Sequence, residues 1–247
     1  MLVVRGPSLS ATWLPRPMRA LLRWPWRALL RARWVLLSLV IRWRGTSYFE
    51  SMWRRRGVQK VREGFSNLNH PHRAWLLEHV ASFWPFESVL EVGCGYGPNL
   101  ELLARRFPGV QAWGIDINPN SVAEGNRLAA VAGLRGVRLI LGKADDLSAF
   151  GDRSVDVAFT DAVLYLVGPD KIEKALSEMR RVARRGLLLL ELHRKGLRGD
   201  VLTPSGWVRD YRRFFSGASV KVVKMPCELR GEPWQSMGYL IIVKWAE

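Results

Sequence analysis

The sequence predicts an α/β fold: a Rossmann-like, seven-stranded, mostly parallel sheet with helices on both faces, its last strand antiparallel, preceded by an N-terminal helical appendage. Three observations predict it. From about residue 72, short apolar runs alternate with segments of helical periodicity, which is the pattern of a doubly wound sheet. The first apolar run ends in a cluster of glycines. The last two runs follow one another with no helix between them, so they can pair directly with one strand reversed.

The elements follow in order. Ala74–Phe83 reads as a helix and Ser88–Val92 (SVLEV) as the first strand. Leu100–Phe107 is helical and Gln111–Ile115 is a strand. Pro119–Ala132 is a helix opened by the Asn118-Pro119 turn. Val137–Leu141 and Val155–Thr160 are strands. Asp170–Ala183 is strongly periodic, with Ile172, Leu176, Met179 and Val182 on one side. Leu187–Leu192 is an unbroken apolar run, typical of a strand buried on both faces. A helix is expected near Ser205–Phe215, then strands at Ser219–Val223 and Tyr239–Val243.

Composition sets the outer limits. The chain has 247 residues and is 48% apolar. That is enough for a sizeable core and excludes wholesale disorder. Cys94 and Cys227 are its two cysteines, too few for a disulfide scaffold or a Cys-rich zinc site. His70 and His72 flank Pro71 and could reach a site from above, but two histidines alone do not hold zinc. No metal is expected.

The net charge is +16 and unevenly spread. Residues 1–49 hold nine arginines and no acid, together with five of the twelve tryptophans. Arg19, Arg23, Arg27 and Arg31 share one helical face. The apolar run Trp34–Ile41 is only eight residues long, and a spanning helix needs roughly 20. An interfacial helix or a lid fits this composition; an organellar leader or a later start at Met18 or Met52 are the alternatives. Pro25 would kink or split such a helix. The division expected is therefore an appendage at 1–49, a basic connector at 50–71 containing Arg54, Arg55, Arg56, Lys60 and Arg62, and a main domain at 72–247.

In sheets of this kind ligands bind at the carboxyl ends of the strands. The first strand runs into Glu91-Val92-Gly93-Cys94-Gly95-Tyr96-Gly97-Pro98-Asn99. Glycines permit a tight turn and a close approach to the backbone. The dinucleotide fingerprint G-x-G-x-x-G/A is not met, because Pro98 stands where its third glycine should be. The Gly-Lys-Ser/Thr of a P-loop is absent. The second strand ends at Asp116, whose carboxylate can accept both hydroxyls of a ribose. The third runs into Ala144-Asp145, where an adenine amino group could donate. The fourth ends at Thr160-Asp161-Ala162. Any one of these acids could be a helix cap; all of them in register with strand ends point to a ligand.

The stretch VLEVGCGYGPN (Val89–Asn99), taken with Asp116, Ala144-Asp145 and Val155–Phe159, resembles the class I S-adenosylmethionine-dependent methyltransferases over roughly residues 72–245. The resemblance implies S-adenosyl-L-methionine as cofactor. It places Glu91, Gly93, Cys94, Gly95 and Asn99 beside the methionine moiety, Asp116 and Ile117 at the ribose, Ala144 and Asp145 at the adenine, and Asp161 at the border of sulfonium and acceptor. Methyl transfer needs orientation more than a catalytic base. Tyr165 and His193, each following a strand, are weak catalytic candidates. Trp207 and Trp234 are candidates for an acceptor pocket, or equally for the core.

The Asn/Asp-Pro-Pro-aromatic motif of base-amine methylation is missing after the fourth strand, where the chain reads Thr160-Asp161-Ala162-Val163. No cysteine is placed there for cytosine methylation either. Both absences argue against nucleic acid and for a small-molecule, lipid or glycan-precursor acceptor. The location expected is cytoplasmic, with residues 1–49 available to an anionic membrane surface. The rival readings are a non-catalytic binding protein on the same fold, an NAD-dependent oxidoreductase, and an aminopropyl transferase. A damaged glycine turn would favour the first, a third glycine the second, and an acidic polyamine pocket the third; none is found.

Overall fold

The structure, a computed structural model, describes residues 16–57, 59 and 68–245, with the side chains of 16–28 excepted. Trp13, Lys60 and Arg62 lie outside the described residues.

Two helices come first: α1 (Arg16–Arg44) and α2 (Thr46–Arg54), broken at Gly45, whose φ of 55° a helix cannot continue through. The boundary expected after residue 49 falls inside α2. The main domain then alternates: α3 (Pro71–Ala81), β1 (Ser88–Val92), α4 (Pro98–Arg106), β2 (Gln111–Asp116), α5 (Pro119–Val131), β3 (Val137–Leu141), β4 (Val155–Asp161), α6 (Ile172–Val182) and β5 (Ala183–Leu192). A hairpin, β6 (Val201–Thr203) and β7 (Gly206–Val208), precedes β8 (Ser219–Lys224), a single helical turn α7 (Trp234–Met237) and β9 (Gly238–Lys244).

Local chemistry sets the helix starts. Pro71, Pro98 and Pro119 each stand at a first helical position, where their missing N–H costs nothing. The Asn118 side chain accepts from the backbone N–H groups of Asn120 and Ser121, capping α5. Before α4, Gly97 sits at φ 84° and turns the chain out of β1.

The seven-stranded sheet has the order β3-β2-β1-β4-β5-β9-β8. Strands β1 to β5 pair in parallel, and β9 runs antiparallel to both β5 and β8. Alternate residues feed two cores. Val89, Phe159, Leu188 and Leu190 meet α3, α4 and α5 on one face. Leu90, Ala158, Leu187 and Leu189 meet α6, Phe150 and Tyr211 on the other.

Three sequence expectations are corrected. No helix forms near Ser205–Phe215; the chain makes the β6–β7 hairpin and a 3-10 turn at Tyr211–Phe214. The turn needs Gly206, at φ 139°, where a Cβ would strike the Tyr165 carbonyl oxygen. Pairing also aims the fully buried Arg209 at the carbonyl oxygens of Leu164 and Val167, both at 2.7 Å, and at Asp200. Periodicity does not report such a requirement. β5 begins at Ala183, directly off α6, because Ala183 already pairs with Val155. The last two strands are separated by the turn α7.

Gly186 of β5 has no room for a side chain: a Cβ would collide with the Val243 carbonyl oxygen and the Phe83 ring. Gly186→Ala should therefore cost about 1–3 kcal/mol in denaturant unfolding. Gly199→Ala, where nothing lies within 4 Å, should stay within about 0.5 kcal/mol of the parent.

Candidate functional site

The carboxyl ends of β1, β2, β3 and β4 open into a cleft of about 670 Å³. That volume lies within the usual range for small-molecule sites. The Gly93–Gly97 turn and Asp116 line it, and α2 contributes Phe49, Glu50 and Trp53 as a further wall.

The glycine turn is built for close approach. Gly93 and Gly95 have φ of 76° and 58°. A Cβ on Gly93 would meet the Val163 side chain, whereas Gly95 has nothing within 4 Å. Cys94 packs against Gly114 and is buried, and burial pushes its thiol well above the ordinary value, so it is a packing residue and not a nucleophile. Cys227 is exposed, far along the chain, and donates to Glu228.

Glu91, Asp116, Asp145 and Asp161 stand at or just beyond strand ends. Glu91 is buried, and burial raises its pKa well above the carboxylate range. Its Oε1 accepts from Asn99 Nδ2 at 2.7 Å, while Oε2 is buried without a hydrogen-bond partner. Asp116 accepts from the Gly95 N–H and the Asn118 N–H, both at 2.8 Å. Burial outweighs those bonds and pushes it up to about 6.

Asp161 is the opposite case. Burial opposes its charge, but Arg230 at 2.7 Å, His72 at 3.0 Å and Arg73 at 3.9 Å hold it well below the usual carboxylate range. Arg73 also donates to Asn99 Oδ1 at 2.7 Å, and Asn99 Nδ2 lies 3.2 Å from Asp161. His72 and His70 face each other through their Nδ1 atoms at 2.7 Å, and burial lowers both pKa values. Asp145 takes Lys171 at 3.3 Å.

The structure thus brings Glu91, Gly93, Cys94, Gly95, Asn99, Asp116, Ile117, Ala144, Asp145, Asp161 and Tyr165 to one cleft. Burial raises the Tyr165 hydroxyl to about 12. Trp234 lines the same cleft, ring to ring with Tyr165 at 5.6 Å and under the Arg230 guanidinium. His193 does not. It is buried between Tyr211 and Tyr239, and its Nδ1 accepts from the Tyr211 N–H at 3.3 Å. Trp207 is also elsewhere, under α1.

Sequence reasoning missed three groups. Glu191, buried in β5, accepts from Thr160 Oγ1 and from the N–H groups of Val163, Leu164 and Tyr165, and so shapes the loop after β4. An acid inside an apolar strand was the available signal. Arg230 reaches Asp161 from a loop that carries no motif. The third is α2, fastened by polar contacts from far along the chain. Asp170 Oδ1 accepts from the Thr46 N–H at 2.9 Å and from its Oγ1 at 2.8 Å, serving as a cap that Gly45 cannot supply. Glu50 pairs with Lys171 at 2.6 Å, and Asn118 Nδ2 donates to the Trp53 carbonyl oxygen at 2.9 Å.

The family model described as a methyltransferase domain matches residues 89–186. An uncharacterized protein of Haemophilus influenzae is 29% identical over 151 residues, 54% of this chain and 59% of that one. The fatty-acid O-methyltransferase of Mycolicibacterium smegmatis is 35% identical over 98 residues, 40% of this chain and 34% of that one. The matches thus span about a third to three-fifths of these relatives. In fold, the chain is similar to the crystal structure of geranyl diphosphate C-methyltransferase from Streptomyces coelicolor A3(2) in complex with Mg2+, geranyl diphosphate and S-adenosyl-L-homocysteine. The TM-score is 0.57 at 17% identity, covering 75% of this chain and 82% of that one.

The α2 wall yields a test. Asp170→Ala leaves the Thr46 N–H without its acceptor and should loosen α2 by about 1–3 kcal/mol. Limited proteolysis should then cut between residues 46 and 57 faster than in the parent, with the melting of the main domain little changed.

Proposed function

We propose that this chain is a class I S-adenosylmethionine-dependent methyltransferase that moves a methyl group from S-adenosylmethionine to a small-molecule acceptor; the methyltransferase-domain model matched at residues 89–186 supports this reading. The observation that carries the reading is the pair of acids at neighbouring strand ends beside the glycine turn. Glu91 keeps a buried carboxylate oxygen without a partner, and Asp116 stands one strand away with both oxygens on backbone N–H groups. A buried acid oxygen left unpaired is costly unless a ligand cation meets it. The cofactor's ammonium group is such a cation.

In this reading Glu91, Asn99 and the Gly93–Gly95 backbone, with Cys94, hold the methionine end. Asp116 and Ile117 take the ribose, and Ala144 and Asp145 flank the adenine. Asp161, locked by Arg230, His72 and Arg73, borders the reacting end. Bound there, the cofactor would supply an electrophilic methyl group on its sulfonium. The protein's part is to orient the acceptor in line and keep water out. Helix α2 covers the cleft for that purpose. Tyr165 stays protonated at neutral pH and acts as a donor that orients the acceptor. His193 lies outside the cleft and is assigned no part.

The acceptor end combines Trp53, Tyr165, Leu166 and Trp234 with Arg56 and Arg230. That lining favours an amphipathic acceptor with an apolar body and a polar or anionic group, of which a lipid or lipid-linked precursor is one kind. The relative named as a fatty-acid O-methyltransferase supports this class.

Calorimetric titration tests the reading directly. Micromolar binding of S-adenosylmethionine and its demethylated product, with none of NAD, is expected; binding of NAD alone would overturn it. Asp116→Ala should weaken cofactor binding by about 1–3 kcal/mol, and unchanged affinity would remove Asp116 from the site.

The pH dependence follows from the same residue. Burial pushes Asp116 up to about 6, and its ionised form, with no proton on either oxygen, is the stronger acceptor for two ribose hydroxyls. Cofactor affinity should therefore be full above that value and fall as the pH is lowered through it. In Asp116→Asn the fall should be shallower.

A further inference from the structure

Helix α1 takes no part in the cleft, yet it has two apolar faces. On one, Trp34, Leu37 and Ile41 pack with Leu202 and Trp207 of the β6–β7 hairpin. Arg42 lies over the Trp207 ring at 5.9 Å. The other face is bare. Leu29, Val35, Leu36, Leu39, Val40 and Trp43, linked by steps of three, four and seven residues, form one stripe and are all exposed, Leu36 to 66% and Trp43 to 85%. Single exposed apolar residues are ordinary; a continuous stripe of them marks an interaction surface.

Charge identifies the partner. At helical spacing, Arg31 and Arg42 border the stripe on one side and Arg33 and Arg44 on the other, and all four are exposed. Residues 1–49 contain no acid to pair with them. Two copies joined stripe to stripe would press arginine rows together, with no acid on either α1 to offset them. An anionic bilayer supplies both requirements: acyl chains for the stripe and phosphates for the guanidinium groups, whose stems can reach up to the head groups. Among the described residues no helix is long and apolar enough to cross a membrane, so the geometry is that of a helix lying in the surface plane.

We propose that α1 docks this chain on anionic membranes, lying in the interface with the Leu36/Leu39/Trp43 stripe among the acyl chains. The packed face keeps the hairpin, and through the Gly45 break the docked helix continues into the α2 wall of the cleft. The docking does not depend on which reaction the cleft performs.

Vesicle flotation of the full chain tests it. The chain should float with phosphatidylcholine–phosphatidylglycerol vesicles, much less with phosphatidylcholine alone, and less as salt rises. Leu36→Glu/Leu39→Glu should lower the partition by about tenfold or more, the cost of placing charge in the apolar layer. Both side chains are exposed, so its thermal transition should match the parent's. Arg31→Glu/Arg33→Glu should lower binding to the anionic vesicles and leave the small binding to neutral ones. Three results overturn the proposal: no flotation of the parent, equal flotation of Leu36→Glu/Leu39→Glu, or a parent that sediments as a dimer without vesicles and becomes monomeric in that variant. The last would assign the stripe to a second copy.

Discussion

A carboxylate buried at the end of a parallel strand must be met by donors, and the site of this protein is organised around four of them. Glu91, Asp116, Asp161 and Glu191 all stand at or near the carboxyl edge of the sheet, where two packed faces keep water away. Each recruits donors from elsewhere in the chain. Asn99 serves Glu91, and the Gly95 and Asn118 backbone serves Asp116. Arg230, His72 and Arg73 serve Asp161. The loop at 163–165 folds over Glu191, which burial nonetheless raises to about 7. Satisfying these acids is what draws the loops into one cleft.

The same rule separates the acids by role. Where cations supply the donors, as at Asp161, the charge is retained and the carboxylate is a fixed structural point. Where neutral groups supply them, as at Glu91 and Asp116, burial prevails and the proton is held more tightly. Those two sites therefore have unused capacity for a ligand that brings its own positive charge or hydroxyl donors. Such division of neighbouring acids by environment is typical of functional sites.

The N-terminal segment extends this logic outward. α2 has no side-chain cap of its own at Gly45. It is held over the cleft by Asp170, Lys171 and Asn118, all distant in sequence. α1 is anchored by the β6–β7 hairpin, and that hairpin is in turn tied to the loop after β4 by the buried Arg209. One chain of contacts thus runs from an exposed apolar stripe to the floor of the cleft.

What the sequence determined by itself was whatever repeats locally. Short apolar runs set between helical segments located all seven strands of the main sheet, because a strand covered on both faces must be apolar throughout its buried length. The Gly93-Cys94-Gly95-Tyr96-Gly97 turn and the acids at 116, 145 and 161 were legible because a strand end is a short-range feature. Asn118-Pro119 was legible because a cap is made within one turn. Tertiary structure decided the rest. Ser205–Phe215 became a hairpin because Arg209 had carbonyl oxygens to reach, 42 and 45 residues back. His193 turned into the core because Tyr211 and Tyr239 closed around it. Arg230 found Asp161 across 69 residues. Which face of α1 packs and which is left bare depended on where the hairpin lay. Periodicity reports that a residue is buried or exposed in its own element; it carries no information about which distant donor, ring or carbonyl the fold will bring to it.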